Sequence, residues 1–268
     1  MRTFSWSIAA LTALVGCAKP PPPAQPSGQP GPEVAALAHR VDEIDQRLKK
    51  IEKLLSDAMG EAPEPDPDVV YSVPVDGDPY EGPAVAKVTI VKGFEFACPF
   101  CYRARPTIEQ IRKTYGDDVK VVYKYFVVHD QAIRPGLAAC AANKQGKFAQ
   151  MKELIWDEGF AKGELGDEHI ESLAAKAGLD LKKFVADRDS DACMSWLRDD
   201  FSTLRGLGVR GTPAFYVNGR FISGAQPFEV FKKVIDAELA KANKAIAGGV
   251  SASSYYKSQI VAKGKKEL

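Results

Sequence analysis

The chain has 268 residues with 36 basic and 35 acidic side chains, a formal net charge of +1, and an ordinary globular balance of 45% apolar and 26% charged residues. Such an even charge excludes the basic surplus of a nucleic-acid binder and the highly charged make-up of a disordered chain. Five cysteines are too few for a disulfide-dense scaffold, yet enough for one redox pair, one structural pair and one left over.

Residues 1–16 have the layout of a secretory signal peptide: Arg2, then a short apolar stretch from Phe4 to Gly16 that is too short to span a bilayer. Leu14-Val15-Gly16-Cys17 resembles a bacterial lipobox. That motif implies cleavage before Cys17 and its acylation, hence a membrane anchor and a body lying outside the cytoplasm, on the periplasmic side of a bacterial membrane, where disulfides persist. The alternative is an ordinary signal peptide with a stray cysteine. Residues 17–32 carry seven prolines from Pro20 to Pro32, which favours an extended polyproline II spacer.

A helical stem is predicted over 33–59. Its apolar residues Val34, Leu37, Val41, Ile44, Leu48, Ile51 and Leu55 fall at gaps of three and four, a strict heptad seam. With Val34 at position a, Arg40 and Arg47 at g oppose Asp45 and Glu52 at e of a parallel neighbour, so a homodimer or homotrimer is expected. The alternative is a lone helix packed on its own domain. His39 falls on the outer face. Residues 60–68 alternate proline with acids and read as a second linker.

The folded domain is expected over 69–246. Val69–Val75 and Lys87–Lys92 are β-rich, Cys98–Tyr115 is helical, and Val119–Val128 reads as a buried strand. Residues 135–207 have helical spacing broken at Gly146, Gly159–Gly166 and Gly178. Ala214–Val217 and Arg220–Ser223 flank Asn218-Gly219, a strong hairpin signal, and Phe228–Ile246 is a final helix. This order is an α/β pattern. Residues 247–268 read as a polar, loose tail, and the terminal Lys265-Lys266-Glu267-Leu268 only mimics an endoplasmic-reticulum signal.

Cys98-Pro99-Phe100-Cys101 follows a strand and opens a helix. Structural zinc would need a second ligand pair at similar spacing; Cys140 and Cys193 stand apart and only three histidines exist, so no metal is expected. Thiol chemistry has a mechanism here. Pro99 suits the first helical position, where a missing N–H costs nothing. Cys98 then falls at the N-cap, where unpaired amides favour a thiolate. Cys101, one turn on, can close a disulfide or resolve a mixed one. No cofactor is required. Gly211-Thr212-Pro213-Ala214-Phe215 precedes a strand, the place a proline tolerates.

With these two motifs the chain resembles the thioredoxin superfamily, and within it the DsbA-like branch. Phe94–Cys101 looks like that branch's active-site entry, Cys140–Phe148 like its inserted helical domain, and Gly208–Gly219 like its cis-proline loop. The resemblance implies a thioredoxin fold with a helical insert of about 135–207. It implies a cis Thr212–Pro213 bond facing Cys98 and Cys101, with Thr212's backbone free to pair with a substrate chain. It implies thiol–disulfide exchange on exported proteins, with a separate redox partner. Relatives with cysteines at the positions of Cys140 and Cys193 can pair them; otherwise they are two small apolar side chains.

The chain departs from the branch twice. Phe100 replaces the histidine of its strongest oxidants, which implies lower oxidising power. Lys92 stands where many relatives carry a buried acid; it is either partly buried, favouring thiolate, or snorkels out at a strand end. Glu95 is the nearest acid. His129, in the loop after the third strand, is expected to be structural rather than to act on the site; His169, Trp156 and Trp196 read as helix-surface or core residues. Oxidation, isomerisation and reduction remain open. A non-catalytic surface lipoprotein with a structural Cys98–Cys101 bond and an oligomerising stem is the alternative from another class.

Overall fold

The computed structural model describes residue 37, residues 39–50 and residues 64–268. Cys17, the Pro-rich spacer and residues 51–63 lie outside the described residues, as do Val34, Ile51 and Leu55 of the stem seam. Residues 39–50 form one helix. Its seam residues Val41, Ile44 and Leu48 are more than half exposed, as is Leu37, and Asp45 pairs with Lys49 of the same helix at 2.6 Å.

In the domain, a five-stranded sheet runs β1-β3-β2-β4-β5. Strand β2 (Val88–Phe94) is buried along its whole length, because both sheet faces are covered. It pairs in parallel with β3 (Val119–Tyr125), from Val88↔Val119 to Phe94↔Tyr125. The crossover between them carries helices α1 (Pro99–Arg103) and α2 (Arg105–Tyr115). The single helix expected over Cys98–Tyr115 is thus broken at Ala104. Pro106 has no N–H for the carbonyl of Tyr102 and biases the preceding residue away from the helix.

Strand β4 (Ala214–Val217) lies antiparallel to β2, and β5 (Arg220–Ser223) antiparallel to β4. The hairpin between them has Asn218 at φ 43° and Gly219 at φ 81°. Asn218 is fully buried and its side chain continues the sheet, accepting from the Thr89 amide at 2.8 Å and donating to the Lys87 carbonyl at 3.0 Å. A Cβ at Gly219 would sit 2.5 Å from the Tyr71 carbonyl, so glycine is required there twice over. Strand β1 is only Tyr80–Glu81, on the outer edge of β3.

The insert comprises α3 (Ile133–Asn143), α4 (Phe148–Leu154), α5 (Asp167–Lys176), α6 (Leu181–Arg188) and α7 (Asp191–Gly206). Wide and tight single turns extend α4 through Lys162. Left-handed Gly146, Gly163 and Gly178 end successive segments. Helix α3 is buried from Pro135 to Ala142 and docks on the end of β3 at Gly136, where a Cβ would meet the Tyr125 ring at 2.3 Å. Helix α8 (Phe228–Ala247) closes the same sheet face. Val88, Ile90 and Phe94 face this larger core, whereas Val91, Val122 and Tyr216 face a second core on the other side.

Three expectations are corrected. Val69–Val75 forms only single bridges, Val70 to Arg220 and Tyr71 to Lys265, because it threads between the β4–β5 hairpin and the C-terminal segment and meets Pro74. Residues 64–68 are not a free linker: Pro65 is buried, and Arg220 donates to the Pro67 carbonyl at 2.8 Å and to Asp68 at 2.6 Å. Residues 247–268 are not a loose tail. Tyr255, Tyr256 and Ile260 are buried in the second core. The Ser72 amide donates to the Lys265 carbonyl at 2.8 Å, and the Leu268 amide to the Gly206 carbonyl at 3.1 Å. A wide turn over Tyr256–Val261 carries Tyr256 and Ile260, and the apolar surface they cover comes from segments remote in sequence.

Candidate active site

The register of β2 and β4 builds the site. Gly93 pairs with Ala214, so Pro213 lies beside the exit of β2, and the chain reaches Cys98 four residues after that strand ends. Cys98 is the N-cap of α1 (φ −88°, ψ 116°) with Pro99 in the first turn; its Sγ accepts from the Cys101 amide at 3.4 Å. The Thr212–Pro213 bond is cis, and the Cys98 thiol donates to the Thr212 carbonyl at 3.2 Å. The structure therefore brings Cys98, Cys101, Thr212 and Pro213 together from two distant chain segments. Phe100 is half exposed, with the Arg103 guanidinium 4.3 Å from its ring centre.

The two thiols are electrostatically unequal. A hydrogen bond from the Cys101 thiol lowers the Cys98 pKa to about 6 against the opposing cost of burial; Thr212 and the amides of Cys101 and Phe100 add to the lowering. Cys101 is fully buried. Burial, and the hydrogen bond it gives to Cys98, raise its thiol well above the ordinary range, with Lys92 the main opposing charge. Cys98 is the nucleophilic candidate and Cys101 holds its proton.

Lys92 is buried, not snorkelling. It points to the same face as Ile90 and Phe94, and desolvation lowers its pKa to about 8. Glu95 is also fully buried, but it turns away to the loop after β3. There it accepts from the amides of Val128 at 2.7 Å and His129 at 3.0 Å and contacts the His129 ring. That hydrogen bond raises the His129 pKa. His129 thus anchors the loop through Glu95, and its imidazole is half exposed beside the site.

Cys140 on α3 and Cys193 on α7 are joined by a disulfide with Cα atoms 5.7 Å apart. Trp156 is buried and packs against Phe96, ring centres 5.0 Å apart. Trp196 is partly buried and donates to Asp78 at 3.2 Å. His169 lies on the insert surface between Glu164 and the Glu158 carbonyl. Two buried charged groups were not anticipated from sequence. One is Lys124 between Asp78 and Asp200, 2.7 Å from each. The other is the set around Lys92: Glu81, Tyr123 and Lys152, with Lys152 2.6 Å from Glu81. Alternation along β2 and β3 marks Lys92 and Lys124 as inward, but their acidic partners come from remote elements.

A central parallel pair flanked by antiparallel strands, a helix-capping cysteine and a facing cis-proline define a thioredoxin-fold domain with a helical insert. A DSBA-like thioredoxin domain model matches residues 89–236, more than half of the chain, and the chain belongs to that family. BdbD of Bacillus subtilis is similar in structure at 20% identity and TM-score 0.58, covering 66% of this chain and all of that one. A periplasmic thioredoxin-like protein of Salmonella enterica serovar Typhimurium is similar at 25% identity and TM-score 0.51, covering 61% of this chain and 91% of that one. Among curated proteins, the Na(+)/H(+) antiporter NhaA of Herminiimonas arsenicoxydans is 30% identical over 171 residues, 63% of this chain but 27% of its own length. The chain spans about a quarter of the length of such relatives. Among the described residues no helix is long and apolar enough to cross a membrane.

Proposed function

We propose that the chain is a lipid-anchored, extracytoplasmic thiol–disulfide oxidoreductase acting on exported proteins. The observation that carries this proposal is the unequal thiol pair: Cys98 at a helix N-terminus with its pKa lowered to about 6, over a buried Cys101 held high. In the reducing direction the Cys98 thiolate attacks a substrate disulfide, forming a mixed disulfide and releasing one substrate thiolate. Cys101 then attacks Cys98, which releases the second. Oxidation is the reverse, and no cofactor is needed because electrons move between sulfurs. Thr212 and Pro213 hold the substrate strand against Cys98. The Cys17 anchor and Pro-rich spacer place the domain above a membrane, and a redox partner resets the pair. Stems joined in parallel would set several sites around one substrate at high effective concentration, which favours rearrangement of wrong disulfides.

The test is a thiolate titration of the reduced protein by ultraviolet absorbance, with alkylation mapped by mass. One thiolate should appear with a midpoint near pH 6, located at Cys98, and Cys101→Ser should accumulate mixed disulfides with substrates. Labelling of Cys101 before Cys98 would reverse the assignment. For the stem, light scattering on protein starting after Cys17 should give a dimer or trimer that Ile44→Lys with Leu48→Lys converts to a monomer. A monomeric wild type, or an unacylated Cys17 in the mature protein, would remove the stem or the anchor.

A further inference from the structure

Asp78, Lys124 and Asp200 come from three separate parts of the domain: the segment before β1, strand β3 and the last helix of the insert, α7. Their side chains are 3%, 7% and 2% exposed, and Lys124 Nζ lies 2.7 Å from both Asp78 Oδ2 and Asp200 Oδ1. Two carboxylates share one ammonium, which leaves one buried negative charge without a counter-ion among the described residues. Such a charge is costly, and a carboxyl group relieves the cost by taking a proton.

The other neighbours supply no charge. Asp200 Oδ2 accepts from the Tyr125 amide at 2.8 Å, and Asp78 Oδ1 accepts from the Trp196 indole at 3.2 Å. In the C-terminal segment, the Tyr256 hydroxyl donates to the Val73 carbonyl at 2.8 Å. On β3, Lys120 reaches the Ala84 carbonyl at 3.4 Å. The charges nearest in sequence on the other elements, Asp76, Arg198 and Asp199, are exposed.

The triad stands where both walls of the site are anchored. On one side Asp200 holds the amide of Tyr125, whose hydroxyl donates to the Ala132 carbonyl at 2.6 Å and accepts from the Phe96 amide at 3.3 Å. Phe96 is two residues before Cys98. On the other side α7 ends at Gly206, and Thr212 follows six residues later. The bridge at Cys193 pins the first turn of α7. Asp200 pins its second half, the part nearer Thr212 in sequence.

We propose that Asp200 is a positioning residue operated by one proton: with the proton, the triad seats the second half of α7 on β3 and fixes the spacing between Cys98 and the Thr212–Pro213 loop; without it, that seat loosens. Its effect on substrate rests on the exchange chemistry proposed above. The proton passes between the carboxyl pair and water, and no other bond changes. Burial pushes the Asp200 carboxyl up to about 7, against the pull of Lys124 and with the Asp78 charge adding to the rise. Against the cost of burial, Asp200 and Asp78 raise the Lys124 pKa, so the ammonium stays charged throughout. The two carboxyls titrate as one unit. The folded state holds a proton that the unfolded chain gives up at about pH 4. Stability therefore falls from there until the pH passes about 7, and is level above it.

The experiment begins without substrate. Carbon-13 shifts of the aspartate carboxyls, on the full chain, should show one proton released with a midpoint near pH 7. Asp200→Asn keeps an acceptor for the Tyr125 amide but leaves one carboxylate to one ammonium; Asp78→Asn does the same from the other side. Both should remove that titration. Both should also remove a wild-type rise in the unfolding constant of close to tenfold per unit, about one proton's worth, between pH 5 and 6. Reduction of a peptide disulfide that has no titrating groups then reports the positioning. Its KM should rise about fivefold or more from pH 6 to pH 8 in wild type, the lower end of ordinary coupling, and stay level in both variants. In all three proteins kcat should follow the ionisation of Cys98. Absence of any aspartate titration between pH 5 and 9 overturns the proposal. So does a titration that survives in both variants, or a KM that rises in Asp200→Asn as in wild type, which would leave the triad a structural ion pair. Failure of both variants to fold would show that the second carboxylate is needed in its charged form, and overturns it as well. Failure of the exchange proposal reads differently: wild type would form no mixed disulfide at Cys98 at any pH, while the carboxyl titration persisted.

Discussion

The Cys98–Cys101 turn and the Cys140–Cys193 bridge are the same chemistry in two surroundings. The first pair is separated by two residues and sits at the mouth of α1, against the cis-proline loop. The second lies 53 positions apart in the chain and ties α3 to α7 inside the larger core. A neighbouring thiol, the Thr212 side chain and the amides at a helix N-terminus lower the Cys98 pKa to about 6. Helix packing and apolar neighbours surround the second. Reactivity therefore follows from where a cysteine meets unpaired amides, and stabilisation from how long a loop it closes.

The largest effect should come from exchanging these roles by mutation. Cys140→Ala with Cys193→Ala opens a loop of about 54 residues and should cost about 4 kcal/mol of stability on a chain-entropy reckoning. Denaturant midpoints should fall while thiol exchange at Cys98 is retained. Loss of exchange in proportion to stability would mean that the two pairs are not separable.

A smaller effect of opposite sign is expected beside the redox pair. The folded state holds Lys92 at about 8, below its ordinary 10.5. A base with a depressed pKa costs stability fully below the folded value, and that cost vanishes above the unfolded one. Lys92→Met should thus stabilise the reduced protein by about 3 kcal/mol at pH 7, with the gain fading toward pH 10.5. Guanidinium unfolding at the two pH values decides it. A pH-independent gain would point to packing instead of charge. Functional cost paired with a stability gain would mark Lys92 as a site residue, in contrast to the pair in the insert.

Local order along the chain was enough for much of this. Cys98-Pro99 announces a capped helix start, because a proline without a donor and a small polar cap satisfy the same end. Asn218-Gly219 announces its hairpin through two positive φ values. The glycine breaks divide the insert at Gly146 and Gly178. What failed was legibility of irregular backbone: the break at Ala104, the bridges of Val69–Val75 and the folding back of 247–268 depend on neighbours far away in sequence.

By itself, then, the sequence determined the order of β2 to β5 and of the closing helix, the thiol pair and its helix-capping geometry, since each rests on interactions spanning a few residues. Only the tertiary structure decided that Pro213 lies against Cys98, through the Gly93↔Ala214 register; that Glu95 is committed to the His129 loop; and that Lys92 is buried, its pKa pulled down by desolvation. Those placements depend on strand pairing and on desolvation. Desolvation is a property of everything packed around a group, which no local pattern of residues encodes.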